Sequence, residues 1–226
     1  MKNTVELLGW YGSDTVHAQS AWTSTSRDLT EDKVNRIPQL LSMLASEGHH
    51  TPFEKSSLHF LVTCDQASHI HLLKHRIGVS INGESARYKE LKEDKFYLPE
   101  DWCIEFKDND DLTAHTAETF MGFETWSEVL ESYTIQGNEL YHKALKDLTP
   151  ILGRKRAKES ARFFKTFNSQ ITMDVMFNFR SFAHFQELRN SEHAQLEIRE
   201  IAQEMLNLVK GIEGTPFEHT IKAFNL

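Results

Sequence analysis

Residues 74–88 read KHRIGVSINGESARY and place Lys74, His75, Arg76 and Arg87 within fifteen positions, loosened by Gly78 and Gly83 and interleaved with Ser80, Asn82 and Ser85. Such a stretch suits a phosphate-bearing small molecule. Glycine lets backbone amides turn toward a ligand, and arginine offers a planar fork that meets a phosphate or a nucleobase edge through two hydrogen bonds. The pattern GxxxxGK[ST] is absent and no GxG occurs anywhere, so neither a Walker loop nor a Rossmann dinucleotide fingerprint is present. The competing reading is a solvated helix end whose cations pair with Glu84, Glu90 and Glu93.

A second polar cluster lies about a hundred residues on, in NFRSFAHFQELRNSEH. Arg180, His184 and Glu187 or Leu188 recur about one helical turn apart, with Phe182 and Phe185 free to pack behind them. Two basic patches are explained together if they converge on one anionic ligand, although ion pairing remains an alternative for each arginine taken singly.

The histidines lack the spacing of a strong metal motif. His71 and His75 are four apart, with His69, His49 and His50 near in sequence, but Leu72 stands where a zincin needs Glu, and His193 has no second ligand at helical spacing. The cysteines, Cys64 and Cys103, form no CxxC and have no neighbour that would lower a thiol pKa, so free thiols in a reducing compartment are expected and cysteine nucleophilic catalysis is not.

The formal net charge of -8 argues against broad binding to nucleic acid, and the basic run GRKRAK (153–158) reads as a solvated face. No window approaches the roughly 18 apolar residues of a membrane span, and no secretory segment is seen. The expectation is a protein with no membrane and no nucleic-acid partner, located in the cytoplasm, or in the host cytoplasm if the source is viral.

The elements that must position these residues follow from periodicity and caps. Strands are expected over 3–10, 55–64 and 170–179, and a further one near 85–98 that ends in KFYLP. Helices are expected over 15–23 behind the Ser13 and Asp14 caps, 32–46, 66–76, 113–147 with Gly137 as a weak point, 153–164, 179–189 and 192–210. The tetrapeptide TPFE occurs twice. At 215–218 it reads as a capping box, whereas at 51–54 it runs into a strand and leaves Glu54 free for another task. Nothing divides the chain, so one α/β (α+β) domain over 1–226 is expected.

Taken in order and spacing, these motifs resemble the flavin-dependent thymidylate synthases. The signature of that family, Arg-His-Arg, about seven residues, then Ser and Arg-Tyr, is matched by Lys74-His75-Arg76, eight residues, and Ser85-Ala86-Arg87-Tyr88. GHHTPFE (48–54) and NFRSFAHFQELRNSEHAQLEI (178–198) match further. The chain departs from the pattern in Lys74 for the first Arg, in one extra residue before Ser85, and in His71 where a Gln is common.

The resemblance implies a small antiparallel sheet with several long helices, binding FAD without a Rossmann motif. It implies conversion of dUMP to dTMP with methylenetetrahydrofolate as one-carbon donor and NADPH as reductant, no cysteine nucleophile, and a homotetramer whose flavin sites are shared between subunits. Carried over residue by residue, His71, Lys74, Glu84, Ser85, Ala86, Arg87, Arg162 and Arg189 bind dUMP, with Arg189 catalytic against the uracil. Ser24, Thr51, Glu54, Lys74, His75, Arg76, Asn178, Arg180, His184 and His193 line the FAD. On the residues alone, two other readings stay open: a metal-dependent nucleotide hydrolase, and a helical RNA-binding or regulatory module.

Overall fold

The computed structural model describes residues 1–85, 87–107 and 112–226. Strands β1 (Thr4–Tyr11), β2 (Ser57–Asp65), β3 (Val79–Gly83) and β4 (Gln170–Phe177) form one sheet in the order β1-β2-β4-β3. β1 runs antiparallel to β2, with Thr4 opposite Thr63, and β3 runs antiparallel to β4, with Val79 opposite Phe177. The alternation in β2 is that of a sheet with one face on a core: Leu58, Phe60, Val62 and Cys64 are fully buried and the residues between them only partly so.

The helices are α1 (Asp14–Trp22), α2 (Glu31–Asn35), α3 (Ile37–Ser46), α4 (Gln66–Leu73), α5 (Ala114–Thr119), α6 (Trp126–Leu152), α7 (Arg154–Ala161), α8 (Phe179–Arg189), α9 (Leu196–Lys210) and α10 (Glu218–Ala223). The small antiparallel sheet with several helices, two of them long, is the expected fold class. The chain divides into two compact units. The first comprises Met1–Lys2, Cys64–Ala67 and Glu84–Ile171, and the second Asn3–Thr63, Ser68–Gly83 and Thr172–Leu226. No helix among the described residues is long and apolar enough to cross a membrane.

The second unit is built around phenylalanines. Phe53, Phe60, Phe177, Phe179, Phe182, Phe185 and Phe217 are all fully buried, each contributing on the order of 1.5–3 kcal/mol of transfer free energy. Among them lies His17 of α1, equally inaccessible. Its Nδ1 is 2.9 Å from the Thr220 hydroxyl and its Nε2 2.9 Å from the Ser56 hydroxyl. Asp14 extends this chain by accepting from the Thr220 hydroxyl and from the amides of His219 and Thr220. Asp14 therefore caps α10 from a position two hundred residues away, and the capping box expected at Thr215–Glu218 does not form: Thr215 sits at φ 44 and α10 has no side-chain cap of its own sequence.

The first unit is organised by α6 and α7, whose facing residues Tyr141, Leu145, Ala157 and Ala161 form its buried cluster. α6 begins at a capping box of Thr125 and Glu128. Gly137 is no weak point. The helix continues through it, and its missing Cβ makes room for the Phe164 carbonyl, 2.6 Å from where that atom would lie.

Other expectations need correction. The helix expected over 32–46 is broken at Arg36, because Pro38 lacks an N–H and fits only a first turn, so α3 starts afresh there. The described residues of 85–98 hold no strand, only an isolated bridge of Phe96 to Ser169, while residues 79–83, read as a glycine loop, are β3. The segment from 113 onward is two helices, with Gly122 at φ 87 between them.

Candidate active site

The end of α4 and the start of α8 are joined through a glycine. α4 stops at Leu73, so Lys74, His75 and Arg76 lie in a turn rather than on the helix. Gly78, at φ 65, lets this turn close against α8: a Cβ there would lie 2.3 Å from Asn178 Nδ2 and 2.4 Å from Ser181 Oγ. The Asn178 amide donates to the Gly78 carbonyl and the Ser181 hydroxyl to the Ile77 carbonyl at 2.7 Å. Asn178 Oδ1 caps α8 by accepting from the Ser181 amide. The turn and the helix thus face a common cleft.

That cleft, of about 1280 Å³, lies wholly within the second unit. It exceeds the roughly 300–1,000 Å³ of an ordinary small-molecule pocket and suits a long ligand. Its walls carry Lys74, Arg76, Arg180, Arg189, Lys210 and Lys222 against the single carboxylate side chain of Glu187, in a chain whose net charge is -8. Arg180 is already paired with Glu54 at 2.5 Å, and Lys222 with Glu218. Lys74 and Arg76 are exposed and make no side-chain hydrogen bond or ion pair among the described residues.

Arg189, at the last turn of α8, is held by two histidines. Its Nε donates to His75 Nε2 at 3.0 Å and its Nη1 to His71 Nδ1 at 3.2 Å. Arginine can only donate, so His75 presents a lone pair at Nε2 and carries its proton on Nδ1. Burial pushes the His75 pKa down to about 4, and the charges of Arg189, His184 and His71 add to the effect. The imidazole is therefore neutral at pH 7 and orients the guanidinium without competing for anions. Nη2 of Arg189 has no partner among the described residues.

Of the residues singled out from sequence, Lys74, His75, Arg76, Arg180, His184 and Arg189 line this cleft. His71 reaches it through Arg189, Glu54 through Arg180, and Asn178 through its contact with the Gly78 turn. Ser24, Thr51 and His193 are exposed and lie outside its walls: Ser24 is in the turn after α1, Thr51 opens the short 3-10 turn Thr51–Glu54, and His193 precedes α9. Glu84, Ser85, Arg87 and Arg162 belong to the first unit, and Ala86 lies outside the described residues. In that unit Arg87 Nε donates to Glu159 Oε1 at 2.9 Å, and Lys89 pairs with Glu84. Arg87 is thus ion-paired, to Glu159 of α7 rather than to the expected Glu84, Glu90 or Glu93, and Arg76 has no ion pair among the described residues.

Sequence reasoning missed the far wall, made by Ser42, Ala45 and Ser46 of α3, Gln203 and Lys210 of α9, and the segment after Lys222. Nothing local distinguishes Lys210 or Lys222 from an ordinary last-turn lysine. The Cys64 thiol is held protonated: burial, with Asp65 beside it, pushes it far above its usual range. No group of three or more His, Cys, Asp or Glu is placed to hold a metal ion among the described residues.

A small antiparallel sheet, helices around it and a large cationic cleft without a glycine-rich phosphate loop define an α+β protein. The family model described as thymidylate synthase complementing protein matches residues 6–213. A flavin-dependent thymidylate synthase of Pseudothermotoga lettingae is 30% identical over 220 residues, which cover 96% of this chain and 90% of that one. One of Thermosipho africanus is 29% identical over 231 residues, covering 99% and 91%. The crystal structure of the UMP/dUMP methylase PolB from Streptomyces cacaoi, bound with 5-Br dUMP, superposes with a TM-score of 0.73 at 25% identity, covering 99% of this chain and 95% of that chain. The chain belongs to the thymidylate synthase complementing protein family, the flavin-dependent thymidylate synthases.

Proposed function

We propose that this protein methylates dUMP to dTMP, taking the one-carbon unit from methylenetetrahydrofolate and reducing equivalents from NADPH through bound FAD. The observation that carries the reading is the cationic cleft of an acidic chain, with Lys74 and Arg76 unpaired and the 74–78 turn pinned to α8 by Gly78. A pyrophosphate needs such fixed donors, and the cleft, at about 1280 Å³, has the volume for a dinucleotide. In this reading Lys74, His75, Arg76, Asn178, Arg180 and His184 hold the flavin, with Glu54 fixing Arg180 and with Ser24, Thr51 and His193 assigned by resemblance.

When bound, the flavin supplies the redox chemistry. The chain's own residues supply charge and orientation. Arg189 faces the uracil, where a guanidinium fixed by His71 and His75 favours ionisation at N3 and makes C5 the nucleophile. With Cys64 buried and its thiol pushed upward, this activation needs no sulfur. Glu84, Ser85, Ala86 and Arg87 hold the phosphate and sugar of dUMP, joined by the partner subunit's Arg162.

The two compact units then serve as one catalytic domain, a reading supported by the family match across both. The assembly in this reading is a homotetramer with shared flavin sites; large apolar side chains left open to solvent, such as Phe163 at 79% and Phe167 at 70% exposure, support contact with another copy of the chain. The free cysteines accord with the cytoplasm. The test is an absorption spectrum after FAD loading and desalting. Flavin bands should remain, bleach with NADPH and shift with dUMP; a protein that retains no flavin overturns the reading.

A further inference from the structure

In the first unit, residues 88–94 have no regular secondary structure, yet three buried or half-buried side chains of α6, α7 and the segment after α7 hold them in place. Lys158 of α7, a buried lysine, donates from Nζ to the Tyr88 carbonyl at 2.7 Å. Tyr141 of α6, fully buried, accepts the Leu91 amide at its hydroxyl, 3.1 Å away. Lys165, whose side chain is 4% exposed, donates to Asp94 Oδ1 at 2.6 Å and to Asn138 Oδ1 at 2.7 Å. His142 Nε2 lies 2.9 Å from the second Asp94 oxygen. Burial alone would raise the Asp94 pKa, but these hydrogen bonds from Lys165 and His142 outweigh it and hold the carboxyl below its usual range.

Two features mark this as a clamp with a purpose beyond packing. Taking an ammonium out of water is costly, and here two lysines are buried to hold one irregular segment. Asp94 also sits at φ 47, a left-handed conformation that costs a residue with a side chain on the order of 1–2 kcal/mol unless its surroundings enforce it. The segment itself, KELKE at 89–93, has little apolar surface with which to order itself.

What the clamp fixes is the stretch just before it. The Tyr88 and Lys89 amides donate to the Ser85 carbonyl at 3.0 and 2.9 Å. Adjacent residues of α7 hold these two neighbours, Lys158 at the Tyr88 carbonyl and Glu159 at the Arg87 side-chain Nε. With Nε engaged, the Nη groups of a half-exposed Arg87 are the ones left for a ligand.

We propose that Lys158 and Lys165 are positioning residues for nucleotide binding, clamping residues 88–94 so that Ser85 and Arg87 are pre-set for a phosphate. The proposal rests on the reading of Ser85 and Arg87 as dUMP ligands. If the binding-competent arrangement drops to a tenth of the population without a clamp, apparent affinity drops about tenfold with it. The chemistry, carried by Arg189 in the other unit, is not touched.

The test uses Lys158→Met and Lys165→Met in the full-length, FAD-loaded protein, each with and without Arg87→Ala. dUMP dissociation constants come from equilibrium dialysis, and KM and kcat from steady-state kinetics. The expected result is a rise of about tenfold in Kd and KM, unchanged kcat at saturating dUMP, unchanged FAD content, and a clearly smaller further loss, the share carried by Ser85, when Arg87 is already Ala. A merely structural role would instead give additive losses, because general destabilisation does not act through Arg87. Unchanged dUMP affinity in folded variants, or additive losses, overturns the clamp alone. Absence of dUMP binding by the unaltered protein overturns the clamp and the functional reading together. Should both lysine variants fail to fold, hydrogen exchange of the 88–94 amides in the unaltered protein decides. A pre-set segment is protected equally with and without dUMP, and protection that appears only with dUMP overturns the proposal.

Discussion

Lowering the pH from 7 to 5 should weaken the fold through His17, by an amount that follows from its surroundings. The ring is inaccessible to solvent and packed against Phe53, Phe179 and Phe217, with centroids 5.3, 5.8 and 5.9 Å away. The Thr220 hydroxyl gives its hydrogen to Asp14 at 2.6 Å, so Nδ1 of His17 must donate to Thr220, and Nε2 is left to accept from Ser56. A second proton would disrupt this chain inside a phenylalanine core, and burial pushes the His17 pKa from 6.5 down to about 4. The unfolded chain therefore takes up the proton first. Stability is complete above pH 6.5 and declines as pH falls toward 4. For one histidine with these two values the loss is about 2 kcal/mol at pH 5 and about 3 kcal/mol below pH 4. Urea denaturation of the unaltered protein and of His17→Gln at both pH values isolates the effect, since other titrating groups cancel. The stability advantage of the unaltered protein should shrink by about 2 kcal/mol between pH 7 and 5; an advantage that does not change with pH would refute the assigned proton inventory.

Arg189→Ala should keep FAD but lower dTMP formation by about 10²–10³-fold, as expected for losing a donor aimed at developing charge. The same change should raise the His75 pKa part of the way back toward 6.5, because burial, the larger cause, remains; a titration by NMR that finds no rise would sink the pairing. Gly137→Ala should cost about 1–3 kcal/mol in a thermal melt, the Cβ meeting the Phe164 carbonyl, where an open helical site would gain about 1 kcal/mol. A higher melting temperature would contradict that close approach. Gly78→Ala should lower FAD per chain as well as stability, since it pushes the Lys74–Arg76 turn away from Asn178; full flavin content would separate this turn from the cofactor.

The parts of the fold legible in the sequence are those decided locally. The β2 strand and the Ser13 cap of α1 stand as read, and the last long helix stands with its start moved from 192 to Leu196. What was not legible depends on distant partners. β3 is only Val79–Gly83 and carries two polar residues and a terminal glycine, so its strand character comes from pairing with β4 nearly a hundred residues away. α10 is capped by Asp14, not by its own Thr215. For the site, Arg180 and His184 could be placed on one face of α8 from spacing, and the turn at Lys74–Arg76 could be joined to them from charge, whereas Arg189, nine residues from Arg180 and so half a turn round the helix from it, came from the resemblance. The far wall at Lys210 and Lys222 could not, because a lysine at a helix end looks the same in solvent as in a cleft. Nor could the pairing of Arg189 with His71 and His75, which needs α4 and α8 side by side.

The central claim is that this chain makes dTMP from dUMP with flavin and no thiol. Its most direct test is chromatographic detection of dTMP after incubating the FAD-loaded protein with dUMP, methylenetetrahydrofolate and NADPH, in the unaltered protein and in a variant with Cys64 and Cys103 both replaced by Ala. The account predicts dTMP from both proteins, abolished when FAD or NADPH is left out. No dTMP from the complete, flavin-loaded mixture would contradict the reaction, and product from the unaltered protein but not from the cysteine-free variant would contradict the activation by Arg189 in favour of a thiol.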